Sequence, residues 1–245
     1  MTTFKHSGDL GDIIYSLPTI RALGGGVLYL DPEGGASDPY VKAQSVDGRT
    51  RLNKSTIDSL TPLLEAQPYI EKVKYLEPTT KIDYNLDEFR KRFSDPKRRS
   101  ATCNLADLHL DHFNLPESEV LKPWLHLDGE TKLHKEIIIA RSPRVQGGFA
   151  TLNARKHYFS KFAIFVGTPK EHEFFEWTFG IKIDYVKTDT IVDLFKVIKG
   201  SKTFVGNSSF PLSLAIGMGH PEILQEYDPK VPTTVFQNMK NMGYF

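Results

Sequence analysis

Apolar positions in the opening stretch of the chain predict a strand, a glycine turn, a helix and a second strand in immediate succession. Thr3 to Lys5 forms the first strand, the turn contains Gly8 and Gly11, Ile13 to Leu23 has helical apolar spacing, and Val27 to Leu30 is the second strand. This order is typical of the start of a parallel doubly wound sheet. Ligands of such sheets bind beyond the carboxyl ends of the strands, and the glycine turn lies at one of these ends.

The same alternation continues in two blocks, separated by a polar stretch at residues 128–135. The other predicted strands are residues 72–76, 82–86, 136–140, 162–166, 203–205, 223–226 and 234–236, and the other predicted helices are residues 55–66 and 191–198. We therefore predict an α/β protein with two Rossmann-like domains, residues 1–130 and 131–245. The C-terminal tail is a candidate to cross back to the first domain, and residues 32–51 are predicted to form a long loop.

Composition and charge describe an ordinary globular protein. The 245 residues include 40% hydrophobic and 25% charged residues with a net charge of +1, so nothing in the overall charge favours nucleic acid or membrane. The N-terminal residues lack an apolar signal region, and no apolar run approaches the roughly 18 residues that span a bilayer, so a cytoplasmic protein is expected. The single cysteine, Cys103, excludes an intrachain disulfide and a cysteine zinc cluster, and it is expected to be a small buried residue.

The glycine turn is built for close backbone approach. Gly8 and Gly11 permit positive φ or close contact, and the following helix directs its unpaired N–H groups and positive dipole end toward the turn. An anion or a polar ligand would fit there. Asp12 lies where the turn becomes helix, and its carboxylate either caps the helix or faces a substrate. Both interpretations stay open.

Two strand ends in the second half carry groups suited to a phosphorylated ligand. Arg141 and Arg144 could fork onto a diphosphate with Ser142 donating beside them, or they are exposed loop residues. Gly167 would let the next strand end approach a ligand, and Glu171 suits the dipole of the helix that follows.

A third turn, after the predicted strand at residues 203–205, is rich in small donors. Asn207, Ser208 and Ser209 precede Pro211, which stands where a proline is tolerated in the first turn of a helix. A phosphate group would fit this turn. The alternative is that Asn207 or one of the serines simply caps the helix.

Two charged stretches have an ordinary and a functional interpretation. Six basic residues lie between positions 90 and 99, namely Arg90, Lys91, Arg92, Lys97, Arg98 and Arg99. They form either a solvated helix end or a contact surface for a phosphate-rich partner. The segment DLHLDHF carries Asp107, His109, Asp111 and His112, which are more typical of a helix or strand surface than of a metal site, so no metal is predicted.

The segments GDLGDIIYSLP, VGTPKE and FVGNSSFPLSLAIGMGHPEIL together resemble the heptosyltransferase-like glycosyltransferases of the GT-B class. The resemblance implies two Rossmann-like domains that face each other across a cleft, with the acceptor on the first and the nucleotide sugar on the second. It also implies glycosyl transfer by direct displacement with inversion, with no metal and no cofactor beyond the nucleotide-sugar co-substrate.

The same resemblance assigns roles to individual residues. Asp12 matches the general base of the family, and Glu171 matches the glutamate that holds the nucleoside ribose, with Glu173 as the alternative if the register slips. The expected donor-binding residues are Gly11, Arg141, Ser142, Arg144, Gly167, Thr168, Glu171, Asn207, Ser208 and Ser209. The expected acceptor-side residues are His6, Asp9, Arg98 and Arg99. In the family's donor turn, an acid and a glycine stand where this chain has Asn207 and serine, and Leu212 lies near the place of a histidine.

The predicted function is transfer of a sugar from a nucleotide sugar to a hydroxyl of a saccharide acceptor. One alternative acceptor is a hydroxylated nucleobase in DNA, because of the basic run. Two other classes remain, a non-catalytic nucleotide-sugar-binding protein and an epimerase or phosphate-elimination enzyme that needs no acceptor. Product analysis separates them, because only a transferase releases free nucleotide in proportion to glycosylated acceptor.

Overall fold

Parallel strands and helices alternate along both halves of the chain in a computed structural model that describes residues 1–32, 52–94, 104–132, 134–143, 149–226, 236 and 239–244. These residues divide into two compact units, the first within residues 1–127 apart from Asn104, and the second formed by Asn104 and the described residues from Asp128 onward. The predicted long loop at residues 32–51 falls almost wholly outside the described residues.

The first unit is a parallel sheet of four described strands in the order β3-β2-β1-β4. Its elements are β1 (Thr3–His6), α1 (Leu10–Ala22), β2 (Gly26–Leu30), α2 (Lys54–Glu65), β3 (Ile70–Tyr75), β4 (Tyr84–Asn85), a 3₁₀ segment (Leu86–Ser94), α3 (Leu105–His112) and a second 3₁₀ segment (Glu117–Leu121). The chain leaves β1 for β2 and β3 on one side and returns to β4 on the other. The strand order therefore reverses between β1 and β4, which makes that edge the topological switch point of this sheet.

Burial of one helix organises the core of the first unit. The eight residues from Ile13 to Ile20 of α1 are all buried, including Pro18 inside the helix. Trp124 is fully buried and Leu125 is 2% exposed, so both residues also belong to the core. Fully burying a large apolar side chain contributes about 1.5–3 kcal/mol, so the buried residues of α1 contribute substantially to the stability of the unit.

The second unit is a parallel sheet of six described strands in the order β10-β9-β8-β5-β6-β7. Its elements are β5 (Ile137–Ala140), α4 (Phe149–Ala154), α5 (Lys156–Phe162), β6 (Ala163–Val166), α6 (Pro169–Phe179), β7 (Asp184–Val186), α7 (Ile191–Gly200), β8 (Thr203–Gly206), α8 (Phe210–Gly217), β9 (Ile223–Gln225) and β10 (Met242–Tyr244). The chain builds outward from β5 to β6 and β7 and then returns to β8 on the other side. The switch point of this sheet lies between β5 and β8.

Buried aromatic and aliphatic side chains hold the second sheet against its helices. Phe165 on β6 contacts Phe175 on α6 with ring centroids 5.3 Å apart, and both belong to a cluster that includes Val205 on β8. On the other side of α6, Trp177 is 79% exposed. The helix therefore has one apolar face in the core and one indole in solvent.

The C-terminal tail corrects one expectation. Met242–Tyr244 pairs in parallel with β9 and forms the outer strand of the second sheet. The prediction that the tail crosses back to the first domain is therefore wrong for these residues. Of the predicted strand at residues 234–236, only Phe236 lies within the described residues.

Candidate functional site

In the first unit, a carboxylate joins the ends of β1 and β4 at the switch point. Asp87 accepts a hydrogen bond from the backbone N–H of Ser7 at 3.0 Å and from the Ser7 hydroxyl at 2.7 Å. Lys5 Nζ lies 2.7 Å from Asp87 Oδ2. Burial alone would raise the pKa of the Asp87 carboxyl, but its charged neighbours, including Lys5 and Arg90, hold that pKa well below its usual range. Asp87 is therefore a fixed negative charge that anchors the glycine turn.

Arg90 connects this anchor to Asp12. Its Nη1 donates to Asp87 Oδ1 at 2.7 Å, and its Nη2 donates to Asp12 Oδ2 at 3.2 Å. The N-cap position of α1 is occupied by Asp9, whose side chain makes no capping hydrogen bond, and Asp12 lies in the first turn of the helix. The Asp12 side chain is 23% exposed. Its carboxylate is thus held in place by a guanidinium while part of it remains open to solvent.

Gly8 is needed because three side chains crowd the turn. A Cβ at this position would lie 2.5 Å from Arg90 Nη2, 2.7 Å from Asp12 Oδ2 and 2.7 Å from His6 Cε1. The reason for a glycine here is therefore close approach. Gly11 lies inside α1.

His6, which was expected on the acceptor side, is fully buried behind the turn, and its role toward an acceptor stays a prediction. Its Nδ1 accepts the Gly8 N–H at 2.9 Å, and its Nε2 lies 3.3 Å from Nε2 of His109. Burial lowers the pKa of His6 from 6.5 to about 4, so the ring is neutral at pH 7. The interpretation of the DLHLDHF segment as a surface was also wrong for His109, which is fully buried.

The described half of the basic run is paired with acids. Arg90 bonds Asp12 and Asp87, Lys91 lies 3.2 Å from Glu88, and Arg92 lies 3.2 Å from Asp111. Lys97, Arg98 and Arg99 lie outside the described residues. Arg90 therefore belongs to the interior of the turn, which is not where a residue for contacting a polynucleotide would lie.

In the second unit, three polar residues follow three neighbouring strands. Arg141 follows β5, Asn207 follows β8 and Glu226 follows β9, which places them side by side at the carboxyl edge of the sheet. Arg141 Nε donates to Glu226 Oε1 at 2.7 Å, with both side chains 1% exposed. The Arg141 guanidinium also lies 5.3 Å from the centre of the Phe179 ring. Arg141 is thus a buried cation at the switch point, and the interpretation of it as an exposed loop residue was wrong.

The bond to Glu226 uses only the Nε of Arg141. Within the part of the chain that the structure describes, Nη1 and Nη2 have no hydrogen-bond acceptor. Burial raises the pKa of Glu226 from 4.5 to about 7, against the opposing effect of Arg141. Glu226 is therefore partly protonated at neutral pH. Its protonation would leave the buried Arg141 guanidinium without a negatively charged partner among the described residues.

Asn207 binds the loop that follows β5. Its Nδ2 donates to the carbonyl of Ser142 at 2.7 Å, and its Oδ1 accepts the Ser142 N–H at 3.0 Å. Asn207 does not cap α8, because the N-cap residue is Ser209, whose hydroxyl donates instead to the Asn207 carbonyl at 3.1 Å. Pro211 lies in the first turn of this helix, as predicted.

The turn after β6 is closed by a reciprocal helix cap. Thr168 donates to Glu171 Oε2 from its N–H at 2.8 Å and from its hydroxyl at 2.9 Å, while the Glu171 N–H donates to the Thr168 hydroxyl at 3.2 Å. Gly167 has φ +146° and presses against the same carboxylate, since its Cβ would lie 3.0 Å from Oε2. Glu171 has a capping role here, and its contact with a ribose stays a prediction.

The remaining predicted residues of the second unit are either buried or outside the described residues. Ser208 is 8% exposed beside Asn207, and Leu212 is fully buried in α8. Arg144 lies outside the described residues.

Among the described residues, no group of three or more His, Cys, Asp or Glu side chains is placed to hold a metal ion. No described helix is long and apolar enough to cross a membrane.

The sequence did not predict that Asp87, His109 and Glu226 belong to these clusters. The i, i+3 spacing of Asp87 and Arg90 does indicate a local ion pair. His109 and Glu226 gave no such sign, because their partners lie 103 and 85 residues away along the chain.

Solved structures resemble this chain over its whole length. A glycosyl transferase family 9 protein from Veillonella parvula DSM 2008 matches with a TM-score of 0.61 at 12% identity, covering 100% of this chain and 85% of that one. The E. coli heptosyltransferase WaaC with ADP matches with a TM-score of 0.55 at 9% identity, covering 99% and 92%. The E. coli ADP-heptose lipopolysaccharide heptosyltransferase II matches with a TM-score of 0.54 at 12% identity, covering 100% and 90%. WaaC has also been solved with ADP-2-deoxy-2-fluoro heptose.

These matches confirm the predicted resemblance to the heptosyltransferases at the level of the fold. The α/β class with two parallel sheets, each in a Rossmann-like unit, agrees with the GT-B class. No protein-family model matches the sequence, and no curated protein sequence matches it.

Proposed function

We propose that this protein is a glycosyltransferase that moves a sugar from a nucleotide-sugar donor to a hydroxyl group of a saccharide acceptor. The observation that carries the proposal is the partly exposed Asp12 carboxylate, fixed by Arg90 at the switch point of the first sheet. Open α/β sheets bind their ligands at such points. The fold that the chain shares with family 9 glycosyltransferases favours the same chemistry.

The reaction we propose is a direct displacement. Asp12 accepts the proton of the acceptor hydroxyl while the oxygen forms a bond to the anomeric carbon. The bond from that carbon to the diphosphate breaks on the opposite side, so the configuration inverts and a nucleoside diphosphate leaves with the electron pair. Arg90 keeps the carboxylate oriented for this step, since its Nη2 is 3.2 Å from Oδ2.

The leaving diphosphate requires positive partners. Arg141 is the strongest candidate in the second unit, because its Nη1 and Nη2 have no acceptor within the described residues and it follows β5 directly. Charged donors form stronger bonds to phosphate than neutral ones do. Ser142, Ser208 and the N-terminal N–H groups of α8 lie at the same strand ends and would add neutral donors. We propose that this cluster binds the donor diphosphate, with Thr168 and Glu171 nearer the nucleoside.

The decisive experiment is a product analysis with nucleotide sugars carrying ADP, UDP, GDP or dTDP, each with and without a panel of oligosaccharide acceptors. An ADP-linked donor is the first to test, since WaaC was solved with ADP. A transferase yields one nucleoside diphosphate for each glycosylated acceptor. Nucleotide binding without product would support a non-catalytic binding protein, and consumption of the nucleotide sugar without an acceptor would support an epimerase or elimination enzyme. Either result would overturn the proposal.

A further inference from the structure

A chain of three hydrogen bonds connects α3 to the glycine turn. The carbonyl of Leu105 lies 2.8 Å from His109 Nδ1, Nε2 of His109 lies 3.3 Å from Nε2 of His6, and Nδ1 of His6 lies 2.9 Å from the Gly8 nitrogen. Both imidazole rings are fully buried. This chain of hydrogen bonds therefore runs through the interior and ends on the backbone of the glycine turn, next to Asp12.

The two ends of the chain decide where each proton lies. A carbonyl only accepts, so His109 must carry its proton on Nδ1 to bond Leu105. A backbone N–H only donates, so His6 must leave Nδ1 unprotonated to accept from Gly8. Burial lowers the pKa of both histidines, so each ring is neutral and has one proton. His6 therefore carries its proton on Nε2 and donates it to Nε2 of His109, and all three bonds are satisfied in a single arrangement.

A second arrangement competes for His6. Asp87 Oδ1 lies 3.4 Å from His6 Nδ1, so a proton on Nδ1 would bond this carboxylate. That proton would displace the Gly8 N–H, which needs the same nitrogen as its acceptor. The other charged groups that act on His6 are Lys5, Arg90 and Asp9, and the two cations disfavour an additional positive charge on the ring. The lone pair on His109 Nε2 favours the arrangement that keeps the Gly8 bond.

His109 is itself held firmly in position. Its ring stacks on Phe89 with centroids 3.8 Å apart and an angle of 20° between the planes. Phe89 lies next to Arg90 in the chain, and the Arg90 guanidinium is 4.8 Å from the Phe89 ring centre. The residues that orient His109 are thus continuous with the residue that orients Asp12.

We propose that His109 acts through His6 as a positioning residue for the Asp12 carboxylate, an inference that rests on the proposed function. The backbone of Gly8 is packed directly against Asp12 Oδ2 and Arg90 Nη2. When His109 accepts the hydrogen bond from His6 Nε2–H, the Gly8 N–H stays bonded to His6 Nδ1, and Asp12 and Arg90 keep their places. When that acceptor is lost, His6 takes the tautomer with its proton on Nδ1 and bonds Asp87 instead. The Gly8 bond then breaks, and the Asp12 carboxylate shifts.

Two substitutions at His109 separate the hydrogen bond from the packing. His109→Phe keeps a ring on Phe89 but removes the acceptor. His109→Gln places an amide oxygen near the position of Nε2 and so keeps the acceptor. We expect His109→Phe to lower kcat by roughly 10- to 100-fold, the scale of a small misplacement of a reacting group, with little change in KM for the donor. We expect His109→Gln to stay within a few-fold of the wild type.

Nitrogen chemical shifts of ¹⁵N-labelled histidine provide a readout that needs no substrate. In the wild type, His6 should carry its proton on Nε2. In His109→Phe it should carry the proton on Nδ1, and the Gly8 amide should exchange faster with solvent. His220→Phe is the matched control, because His220 is also buried and bonded, to Ser201 Oγ at 3.0 Å and to the Glu222 carbonyl at 2.8 Å, but lies in the second unit.

The outcomes are distinct. A wild-type His6 protonated on Nδ1, or a folded His109→Phe variant with normal kcat, would overturn the inference. So would a fall in kcat in His220→Phe as large as that in His109→Phe, since the effect would then follow stability alone. If His109→Phe does not fold, the wild-type tautomer and the kcat of His109→Gln decide. If the wild type transfers no sugar, the proposed function fails, while the tautomer and the Gly8 exchange rate still test the hydrogen-bond chain itself.

Discussion

Asn207 binds both backbone groups of Ser142 with one amide, donating from Nδ2 at 2.7 Å and accepting at Oδ1 at 3.0 Å. The two residues follow adjacent strands, β8 and β5, so this pair joins the two strand ends at the switch point of the second sheet. A carboxylate could make only half of the contact, because it has no hydrogen to donate to the Ser142 carbonyl.

Asn207→Asp is therefore expected to destabilise the protein at neutral pH, although an acid is the family residue at this turn. The part-buried Ser142 carbonyl would lose this donor, which costs up to about 1–3 kcal/mol, and denaturant unfolding measures the change. Asn53→Asp is the matched control, since Asn53 at the N-cap of α2 uses its side-chain oxygen to accept from Thr56, which a carboxylate does equally well. Equal stability in the two variants would contradict the bridging role of Asn207.

Asn207 shows which features the sequence predicts and which it does not. The turn from Asn207 to Ser209 and the helix after Pro211 were predictable, because small polar residues and a proline have local backbone preferences. The partner of Asn207 was not predictable, because strand order is fixed by long-range packing and Ser142 is 65 residues distant. For the same reason the sequence identified Asp12 but not Asp87, and it favoured a surface position for His109 although the ring is fully buried.

Asp12→Asn should keep the fold and the donor affinity but lower turnover by about 10² or more, because a positioned base contributes on that scale. Asp58→Asn removes a carboxylate of the same unit that bonds the Tyr75 hydroxyl instead, and it should retain full turnover. The measurement is steady-state kinetics together with calorimetry of nucleoside diphosphate binding. Normal turnover in a folded Asp12→Asn variant would remove Asp12 as the base.

Gly8→Ala tests the crowding of the turn. The added methyl carbon would overlap Arg90 Nη2 at 2.5 Å and Asp12 Oδ2 at 2.7 Å, so both side chains must move. Overpacking of this kind costs typically about 1–3 kcal/mol, visible as a lower Tm. Turnover should fall while nucleotide affinity, which we assign to the second unit, stays constant. Wild-type kcat in this variant would show that the position of Asp12 is not critical.

Glu226 gives the stability of the second unit a pH dependence. Its pKa is about 7 in the folded chain against 4.5 for a glutamate side chain in water, so the folded state binds more protons between these values. Stability from this group is therefore complete below about pH 4.5 and is lost as pH rises through 7, by up to about 3 kcal/mol. Glu226→Gln should remove this pH-dependent component. The unfolding free energy of the variant should therefore exceed that of the wild type by an amount that grows from pH 5 to pH 8.

The same substitution bears on the donor site. With an uncharged glutamine side chain beside Arg141, the guanidinium is no longer neutralised, so nucleoside diphosphate should bind more tightly to the variant than to the wild type at pH 8. Calorimetry at that pH measures the change. Identical affinities, with Arg141→Ala also unchanged, would place the diphosphate elsewhere.

DNA binding should be negligible at physiological salt. Three of the six cations between positions 90 and 99 pair with Asp12, Asp87, Glu88 or Asp111, which leaves few charges for phosphate contacts. Titration of a fluorescent duplex at several salt concentrations measures this. Binding with a log–log salt slope of about −0.9 per contacted phosphate, flattened by Arg98→Ala with Arg99→Ala, would instead support the DNA acceptor.

The placement of the two tryptophans gives each unit its own optical signal. Trp124 is fully buried in the first unit, and Trp177 is 79% exposed on α6 of the second. These are the two tryptophans of the sequence. Indole fluorescence shifts to longer wavelength in water, and iodide quenches it on contact, so Trp177 should dominate the red, quenchable emission and Trp124 the blue, protected emission. A Trp177→Phe variant would emit from the first unit alone, which allows the unfolding of that unit to be followed inside the intact chain.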